Sequence, residues 1–450
     1  MANVIKLSKG LDINLKGQAA KNVVTVDCGS EFALVPDDFV GVTPKVVVKE
    51  GDQVLAGDAL FVNKHYPSVK FASPVSGTVK AVVRGDRRKV MSVVVEADKD
   101  QQARDFGKKN VNALSGEQVK EALLEAGLFG YINQLPYAIS TNPETEPKAI
   151  FVSALRDMPL AADFEVELKG NEEAWQAGIT ALSKMAKTYV GLGSKQTAAA
   201  LLQTKDAEVN IFNGKCPAGN VGVQVNNIDP VNKGEVVWTV DPSAVIFIGR
   251  LMLTGKVDLT RVIAVAGSEI KTPQYVKVLV GQKLGTVLEG QIAEGANARI
   301  INGNPLVGRK ACKNCYVGAH TSEVTAIPEG DHADEMLGWI LPRPNQFSVN
   351  RSYLSWLMPK SKQYDCDTRI KGGERHMIMS GEYDTVLPMD IYGEYLIKAI
   401  ITGDIDRQEA LGIYEVAPED FAVAEFIDSS KLELQKIVRE GLDILRKENA

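Results

Sequence analysis

The sequence of 450 residues has few histidines, few cysteines and no long hydrophobic run. Its longest apolar stretches, residues 244–249 and 262–267, fall well short of the roughly 18 residues that a membrane-spanning helix needs. Arg250, Asp258 and Arg261 interrupt these stretches. Five cysteines in so long a chain do not indicate a disulfide framework. Any membrane association is therefore expected to come through partner proteins.

An excess of positive charge is also missing. Lysine and arginine total 51 against 57 aspartates and glutamates, a formal net charge of −6. Without a general basic footprint, nucleic acid and anionic lipid are poor candidate partners. Residues 1–15 alternate polar and apolar side chains and carry neither the apolar segment nor the cleavage motif of a secretion signal. The expected compartment is the cytoplasm.

Acid–base and metal chemistry have little support in the sequence. No serine motif of the G-x-S-x-G type accompanies the four histidines, His65, His320, His332 and His376. Cys312-Lys313-Asn314-Cys315 has the spacing of half a zinc site, but no second close pair exists and only His320 is near. Cys28, Cys216 and Cys366 are scattered singly, whereas an iron–sulfur cluster needs about four thiolates. We interpret all five cysteines as reduced cytosolic thiols.

Residues 43–96 contain short β-rich runs separated by closely spaced Gly-Asp turn signals. Such spacing predicts a small sandwich or barrel. Residues 50–61 and 73–79 resemble the hammerhead of biotinyl and lipoyl carriers. In those carriers a lysine at a hairpin tip takes the prosthetic group, and Lys64 occupies about that place. Because Lys64 lacks the Met-Lys-Met or acidic context of carrier lysines, no covalent biotin or lipoate is expected.

From about residue 110 the pattern alternates between helices and strands. Strands are predicted at 148–155, 189–192, 208–212 and 236–240, which favours a largely parallel sheet covered by helices. A dinucleotide fold places a glycine-rich loop after its first strand, but here residues 156–160 hold no glycine. The later Gly191-Leu192-Gly193-Ser194-Lys195 lacks the third glycine of that loop and the Walker A spacing. We interpret it as a strand-to-helix turn capped by Ser194.

We predict an α/β multidomain protein with four regions. Residues 1–100 are predicted to be a β region with a biotinyl/lipoyl-like barrel-sandwich, and residues 101–258 a Rossmann-like parallel α/β domain. Residues 259–330 are predicted to form a small β-grasp-like (α+β) domain, and residues 331–450 a mostly helical region. The last helix is expected to follow a capping box of Ser430 and Glu433, ahead of an apolar stripe at helical spacing.

Two loops rich in glycine and proline gather aromatic and apolar residues, at residues 32–42 and 127–137. Loops of this composition could line a slot for a flat apolar ligand or a partner helix, although core packing is the commoner explanation.

Short motifs in a fixed order extend along nearly the whole chain. They include Lys9-Gly10-Leu11-Asp12, Pro217-Ala218-Gly219-Asn220-Val221-Gly222, Asp229-Pro230-Val231, Ile248-Gly249-Arg250-Leu251, Leu337-Gly338-Trp339-Ile340 and Leu387-Pro388-Met389-Asp390-Ile391. In this order they resemble the A subunit of the Na⁺-translocating NADH:quinone reductase. A more distant resemblance is to the flavin-bearing subunit of respiratory complex I.

The resemblance implies a peripheral subunit on the cytoplasmic side of the bacterial inner membrane, with five partner subunits, B, C, D, E and F. Such a complex oxidises NADH, reduces a quinone and exports Na⁺. The A subunit is implied to take part in binding ubiquinone or menaquinone and in the semiquinone-to-quinol step. It is implied to carry no flavin or iron–sulfur cluster of its own.

The two apolar loops and the family analogy together give candidate quinone-binding residues: Phe39, Val42, Pro136 and Tyr137. No catalytic residue and no metal ligand is assigned. Three alternatives stay open: an NADH- or FMN-binding dehydrogenase subunit like that of complex I, a carrier modified on Lys64, and an assembly subunit without quinone contact.

Overall fold

The computed structural model describes residues 3–293, 295–331 and 340–449. Within them the strands are β1 (Asn3–Lys6), β2 (Ala20–Thr25), β3 (Glu31–Leu34), β4 (Pro44–Val46), β5 (Gln53–Val54), β6 (Ala59–Asn63), β7 (Lys70–Ala72), β8 (Gly77–Arg84), β9 (Val90–Ala97), β10 (Ile132–Leu135), β11 (Ile139–Ser140), β12 (Ile150–Ser153), β13 (Thr188–Gly193), β14 (Glu208–Asn213), β15 (Val237–Val240), β16 (Thr260–Ala266), β17 (Gln274–Leu279), β18 (Ala298–Asn302), β19 (Arg309–Ala311) and β20 (Glu323–Pro328). The α-helices are α1 (Gly116–Glu125), α2 (Phe164–Leu168), α3 (Glu172–Met185), α4 (Ala199–Leu202), α5 (Val221–Ile228), α6 (Pro242–Thr254), α7 (Leu284–Val287), α8 (Tyr383–Val386), α9 (Gly393–Thr402), α10 (Ile405–Ala410), α11 (Ala422–Ile427) and α12 (Leu434–Glu448).

Two small sheets pack together in the first part of the chain. One has the order β3-β9-β8-β5 and the other β4-β6-β7. The Gly-Asp turns close their hairpins, because the carboxylates of Asp52 and Asp58 accept the backbone N–H groups of Lys49 and Leu55 at 2.7 and 2.8 Å. Gly51 lies in the first of these turns with φ of +91°, a conformation that glycine adopts without steric cost.

A seven-stranded sheet follows, with the order β1-β14-β13-β12-β15-β10-β11. The five neighbouring strands β1, β14, β13, β12 and β15 pair in parallel. At the edge beside β15, β10 pairs antiparallel with β15 and with β11. The central strand β12 is apolar and buried on both faces, as expected where helices cover a parallel sheet. Helices α3 and α6 pack closely against each other over this sheet.

A third, six-stranded sheet has the order β19-β18-β20-β16-β17-β2. Strand β16 pairs in parallel with β20 and antiparallel with β17. Two strands from the first hundred residues lie outside the barrel: β1 pairs with β14, and β2 pairs with β17. The amino-terminal segment therefore ties the barrel to both of the other sheets. The predicted domain boundaries stay predictions.

In the carboxyl-terminal part, regular helices begin at Tyr383, and the described residues 340–382 contain one 3₁₀ turn, Leu354–Leu357. Helix α12 buries an apolar stripe, Leu434, Val438, Leu442 and Leu445, as predicted. The predicted capping box is wrong. The hydroxyl of Ser430 instead accepts the backbone N–H of Ile378 at 3.0 Å, outside the helix. His332 and the motif residues Leu337-Gly338-Trp339 lie outside the described residues.

Across the part of the chain that the structure describes, no helix has the length and apolar character needed to cross a membrane.

Candidate ligand cavity

A cavity of about 500 Å³ lies at the carboxyl ends of the parallel strands β12 and β15. The segments that follow these strands supply Leu155, Arg156, Asp157, Met158, Asp241 and Pro242 to its walls. Strand β20 of the third sheet adds Glu323, the segment before it adds His320, and the carboxyl-terminal region adds Glu419 and Arg439. Ligand sites of open α/β sheets form at this end of the strands, because the connecting loops leave a crevice there.

A buried network of ion pairs includes two residues that line the cavity, Arg156 and Asp241. The hydroxyl of Ser243 donates to Glu167 at 2.6 Å and accepts from Arg156 at 3.0 Å and from Arg261 at 2.8 Å. Arg156 also contacts the carboxylate of Asp241 at 3.4 Å. Burial alone would raise the pKa of Asp241, but the guanidinium groups of Arg156 and Arg261 hold it below its ordinary value. Two arginines thus balance two carboxylates at fixed positions.

An aromatic cluster packs around His320, which lines the cavity. The ring of His320 lies 5.6 Å from that of Phe39 and 5.5 Å from that of Tyr131, centroid to centroid, in edge-to-face orientations. Burial lowers the pKa of His320 to about 4, so the imidazole is neutral near pH 7. Its Nε2 atom is shielded from solvent and has no hydrogen-bond partner among the described residues.

Two carboxyl groups of the cavity hold protons more tightly than usual. Burial raises the pKa of Asp157 to about 7, although the backbone N–H of Gly219 donates to its Oδ2 atom at 2.9 Å. The Oδ1 atom of Asp157 is shielded and has no partner within the described ranges. Burial likewise raises the pKa of Asp38 to about 6, against the hydrogen bond from the Ala319 N–H. Near pH 7 Asp157 is therefore present in both protonated and ionised forms, whereas Asp38 is mostly ionised.

The two loops predicted to carry the site meet in the structure. The rings of Phe39 and Tyr131, one from each loop, lie 5.3 Å apart. Just beyond the second loop, the backbone N–H of Ser140 donates to the carbonyl oxygen of Val40 at 2.8 Å. The cavity is lined by residues of both loops, Asp38, Val40, Asn133 and Leu135.

The four candidate quinone-binding residues lie beside this lining and are not part of it. Phe39 is 2% exposed and packs within the aromatic cluster. Pro136 is buried, and Val42 is half-buried against the core of the barrel. Tyr137 is half-buried against the carboxyl-terminal helices, and its carbonyl oxygen accepts from Arg439 at 2.7 Å.

Sequence reasoning missed the charged residues of the cavity. A signal existed for Arg156, Asp157 and Asp241, because each follows the carboxyl end of a predicted parallel strand. In the sequence His320 stood out as one of four histidines and as the one near Cys312 and Cys315, not as part of a ligand site. Arg261 lies inside the strand β16, where no local pattern indicates a buried ion pair.

Three other sequence candidates lie elsewhere. Lys64 is exposed in the β6–β7 hairpin. The thiols of Cys312 and Cys315 approach each other, but within the described ranges no group of three metal-ligating side chains is found. The predicted Ser194 cap is wrong, since α4 begins only at Ala199 and the Ser194 hydroxyl lies 3.5 Å from Asn213.

Comparison with known proteins accounts for most of the chain. Three family models match: the NqrA N-terminal barrel-sandwich hybrid domain at residues 5–98, the NqrA second alpha/beta domain at 114–257 and the NQRA C-terminal domain at 262–313. The A subunit of the Na(+)-translocating NADH-quinone reductase of Yersinia pestis bv. Antiqua (strain Angola) is 34% identical over 450 residues, covering 99% of this chain and 100% of that protein. The chain belongs to this family. The protein of the same name from Haemophilus influenzae (strain PittGG) is 34% identical over 451 residues, with 99% and 100% covered.

Membership in the family of A subunits confirms the resemblance drawn from the ordered motifs. It also confirms the predicted barrel-sandwich within a multidomain α/β protein. Among solved structures, an NAD⁺-reducing [NiFe]-hydrogenase in the H₂-reduced state aligns with a TM-score of 0.35 and 12% identity, covering 48% of this chain and 47% of that chain. This likeness is too slight to support an argument.

Proposed function

We propose that the chain is the peripheral A subunit of a Na⁺-translocating NADH:quinone reductase and takes part in binding and reducing the quinone. Its place would be the cytoplasmic side of the bacterial inner membrane, together with the B, C, D, E and F subunits. The complex would couple NADH oxidation to Na⁺ export. Family membership and the names of the relatives support this assignment.

The cavity is the observation that carries the quinone proposal. Its volume of about 500 Å³ is typical of small-molecule sites, which combine apolar walls with a few polar groups. Val40, Leu135 and Met158 supply apolar walls, and His320 and Asp157 supply hydrogen-bonding atoms that lack protein partners among the described residues. A quinone presents carbonyl oxygens that accept hydrogen bonds, and a neutral imidazole or a protonated carboxyl can donate them. Ubiquinone and menaquinone both meet this description.

In this proposal the four candidate quinone-binding residues fall into two pairs with different roles. Phe39 and Pro136, which are buried, hold the two loops in place behind the lining. Val42 and Tyr137, which are half-buried, would flank the route by which the quinone enters.

We propose in addition that the parallel domain is Rossmann-like and the third sheet β-grasp-like. The order β14-β13-β12-β15 supports the Rossmann-like assignment. The chain adds β13 and then β14 on one side of β12, and then crosses to add β15 on the other side, as in a doubly wound sheet. The β-grasp-like assignment is supported by the mixed sheet order β19-β18-β20-β16-β17 and by α7, which lies between β17 and β18 in the chain.

The proposed lack of a bound flavin or dinucleotide rests on the amino end of α5. A phosphate at such a position needs free backbone N–H groups. Here the N–H of Gly219 donates to Asp157, and a β-carbon on Gly222 would collide with the carboxyl of Asp420. Burial raises the pKa of Asp420 to about 8, next to Glu419. The carboxyl groups of Asp157 and Asp420 thus occupy the position at the amino end of α5 where a phosphate would bind.

Photolabelling of the whole complex with a reactive quinone tests the proposal. We expect label within residues 32–42, 127–137 or 318–323, removed by excess unlabelled quinone. His320→Gln should raise the KM for quinone several-fold, whereas the control Lys64→Ala, at an exposed hairpin, should leave it unchanged. A complex in which label never reaches this chain would be evidence for a purely structural subunit. Stoichiometric flavin absorption on the isolated chain would favour the dehydrogenase alternative.

A further inference from the structure

Two thiols of the third sheet converge at the surface. Cys312 is exposed and Cys315 half-buried, and their Sγ atoms lie 2.8 Å apart. A tight turn brings them together, because the N–H of Cys315 donates to the carbonyl oxygen of Cys312 at 2.9 Å. The N–H of Cys312 in turn donates to the Sγ atom of Cys315 at 3.2 Å. The other cysteines of the chain have no such thiol partner in the described structure.

The turn is held at both ends by backbone hydrogen bonds. The carbonyl oxygens of Lys313 and Cys315 accept the N–H groups of Gly285 and Leu284, each at 2.8 Å. Directly after the turn, the N–H of Val317 donates to the carbonyl oxygen of Gln282 at 2.8 Å. These anchors keep the thiols together and leave them free to react without a rearrangement of the sheet.

The two thiols differ in acidity. The hydrogen bond with Cys315 lowers the pKa of Cys312, and the backbone N–H groups of Asn314 and Cys315 and the ammonium group of Lys283 act in the same direction. Burial raises the pKa of Cys315, and its bond to Cys312 adds to this. The exposed sulfur is thus the more nucleophilic of the two near neutral pH.

We propose that Cys312 and Cys315 are a reversible oxidation site that reacts with low-molecular-weight disulfides. The thiolate of Cys312 attacks one sulfur of the small disulfide, forms a mixed disulfide and releases one small thiolate. Cys315 then gives up its proton and attacks the Sγ atom of Cys312, which forms the intramolecular disulfide and releases the second small thiolate. Two protein thiols are oxidised, one disulfide is reduced to two thiols, and the two cysteine protons pass to them.

Oxidised glutathione is the probe, applied to the full-length chain purified with its partner proteins. Because trypsin cleaves after Lys313, the two cysteines lie on separate tryptic peptides. We expect these peptides to appear linked, about 2 Da below the sum of their masses, and to separate after dithiothreitol treatment. Cys315→Ser should instead trap one glutathione on Cys312, since the resolving thiol is gone. Cys28→Ser is the matched control, because Cys28 is exposed but stands alone. It should form the internal disulfide at the wild-type rate.

The wild-type mass measurement does not depend on any variant being folded. Wild-type protein that keeps both thiols, or that accumulates glutathione on Cys312 without closing the disulfide, overturns the proposal. The proposal is also overturned if, in the Cys315→Ser variant, glutathione adds to Cys28 as fast as it adds to Cys312. None of these results bears on the quinone proposal, which rests on different residues.

Discussion

The imidazole of His320 packs edge-on against the ring of Phe39, with the centroids 5.6 Å apart. This contact joins the loop after β3 to the segment between β19 and β20, so a residue that connects two strands of the third sheet lies against the predicted quinone loop. The surrounding rings exclude the water that would solvate a charged imidazole. Burial therefore favours the neutral imidazole and lowers its pKa to about 4, which predicts a pH dependence of stability.

His320 should make the protein less stable in acid. Its pKa falls from 6.5 to about 4 on folding, so between these pH values the unfolded state binds more protons. The free energy of unfolding then drops as the pH falls through this window, by at most about 3 kcal/mol. In His320→Gln this part of the dependence should vanish, as urea unfolding at pH 7, 5.5 and 4 would show. His65→Gln, at an exposed histidine, is the control and should follow the wild type. A wild type and His320→Gln with parallel pH profiles would contradict the prediction.

Asp157 should have the opposite pH dependence. Its pKa rises from 3.8 to about 7 on folding, so the folded state binds more protons between these values and stability falls as the pH rises through them. Asp157→Asn mimics the protonated form and should unfold at higher urea than the wild type at pH 8, with little difference at pH 4.5. Asp100→Asn, on an exposed turn, serves for comparison. If Asp157→Asn lost stability at pH 8, a neutral carboxyl at this place would be ruled out.

Arg261 should be needed for the integrity of the buried ion-pair network next to the cavity. Its side chain is fully buried beside Glu167 and Ser243. Arg261→Met leaves a buried carboxylate with part of its compensation removed, which costs about 3–5 kcal/mol. The exposed pair Lys436–Glu433 is the control, since Lys436→Met should cost less than about 1 kcal/mol. Chemical denaturation of both variants gives the comparison, and equal shifts of their midpoints would show that the buried network adds nothing.

Close approach of α3 and α6 should make their glycines intolerant of substitution. A β-carbon on Gly249 would collide with the carbonyl oxygen of Ala174, and one on Gly178 with that of Val245. Gly249→Ala must separate the helices, so we expect a loss of about 2–4 kcal/mol where a helix interior would otherwise favour alanine. Gly373→Ala, with open space around it, should be nearly neutral. Thermal unfolding followed by circular dichroism measures both, and an unchanged Tm for Gly249→Ala would be incompatible with this packing.

Local patterns predicted local structure well. Runs of apolar residues predicted the strands β12 to β15. The Gly-Asp pairs predicted the turns of the barrel, because the carboxylates of Asp52 and Asp58 accept backbone N–H groups three residues away. Helix caps were less predictable. Ser430 and Ser194 have the right residue type, but Ser430 accepts a bond from Ile378 and Ser194 lies before the helix starts.

The chain alone was enough to indicate its family, its barrel and its alternating α/β body, since these depend on neighbours in sequence and on the order of short motifs. The cavity depended on folding. Arg156, Asp241 and His320 come from three distant segments, and each is ordinary in its own stretch of sequence. Their protonation and pairing arise only when burial removes water and brings these charges into contact, a condition that no local pattern records.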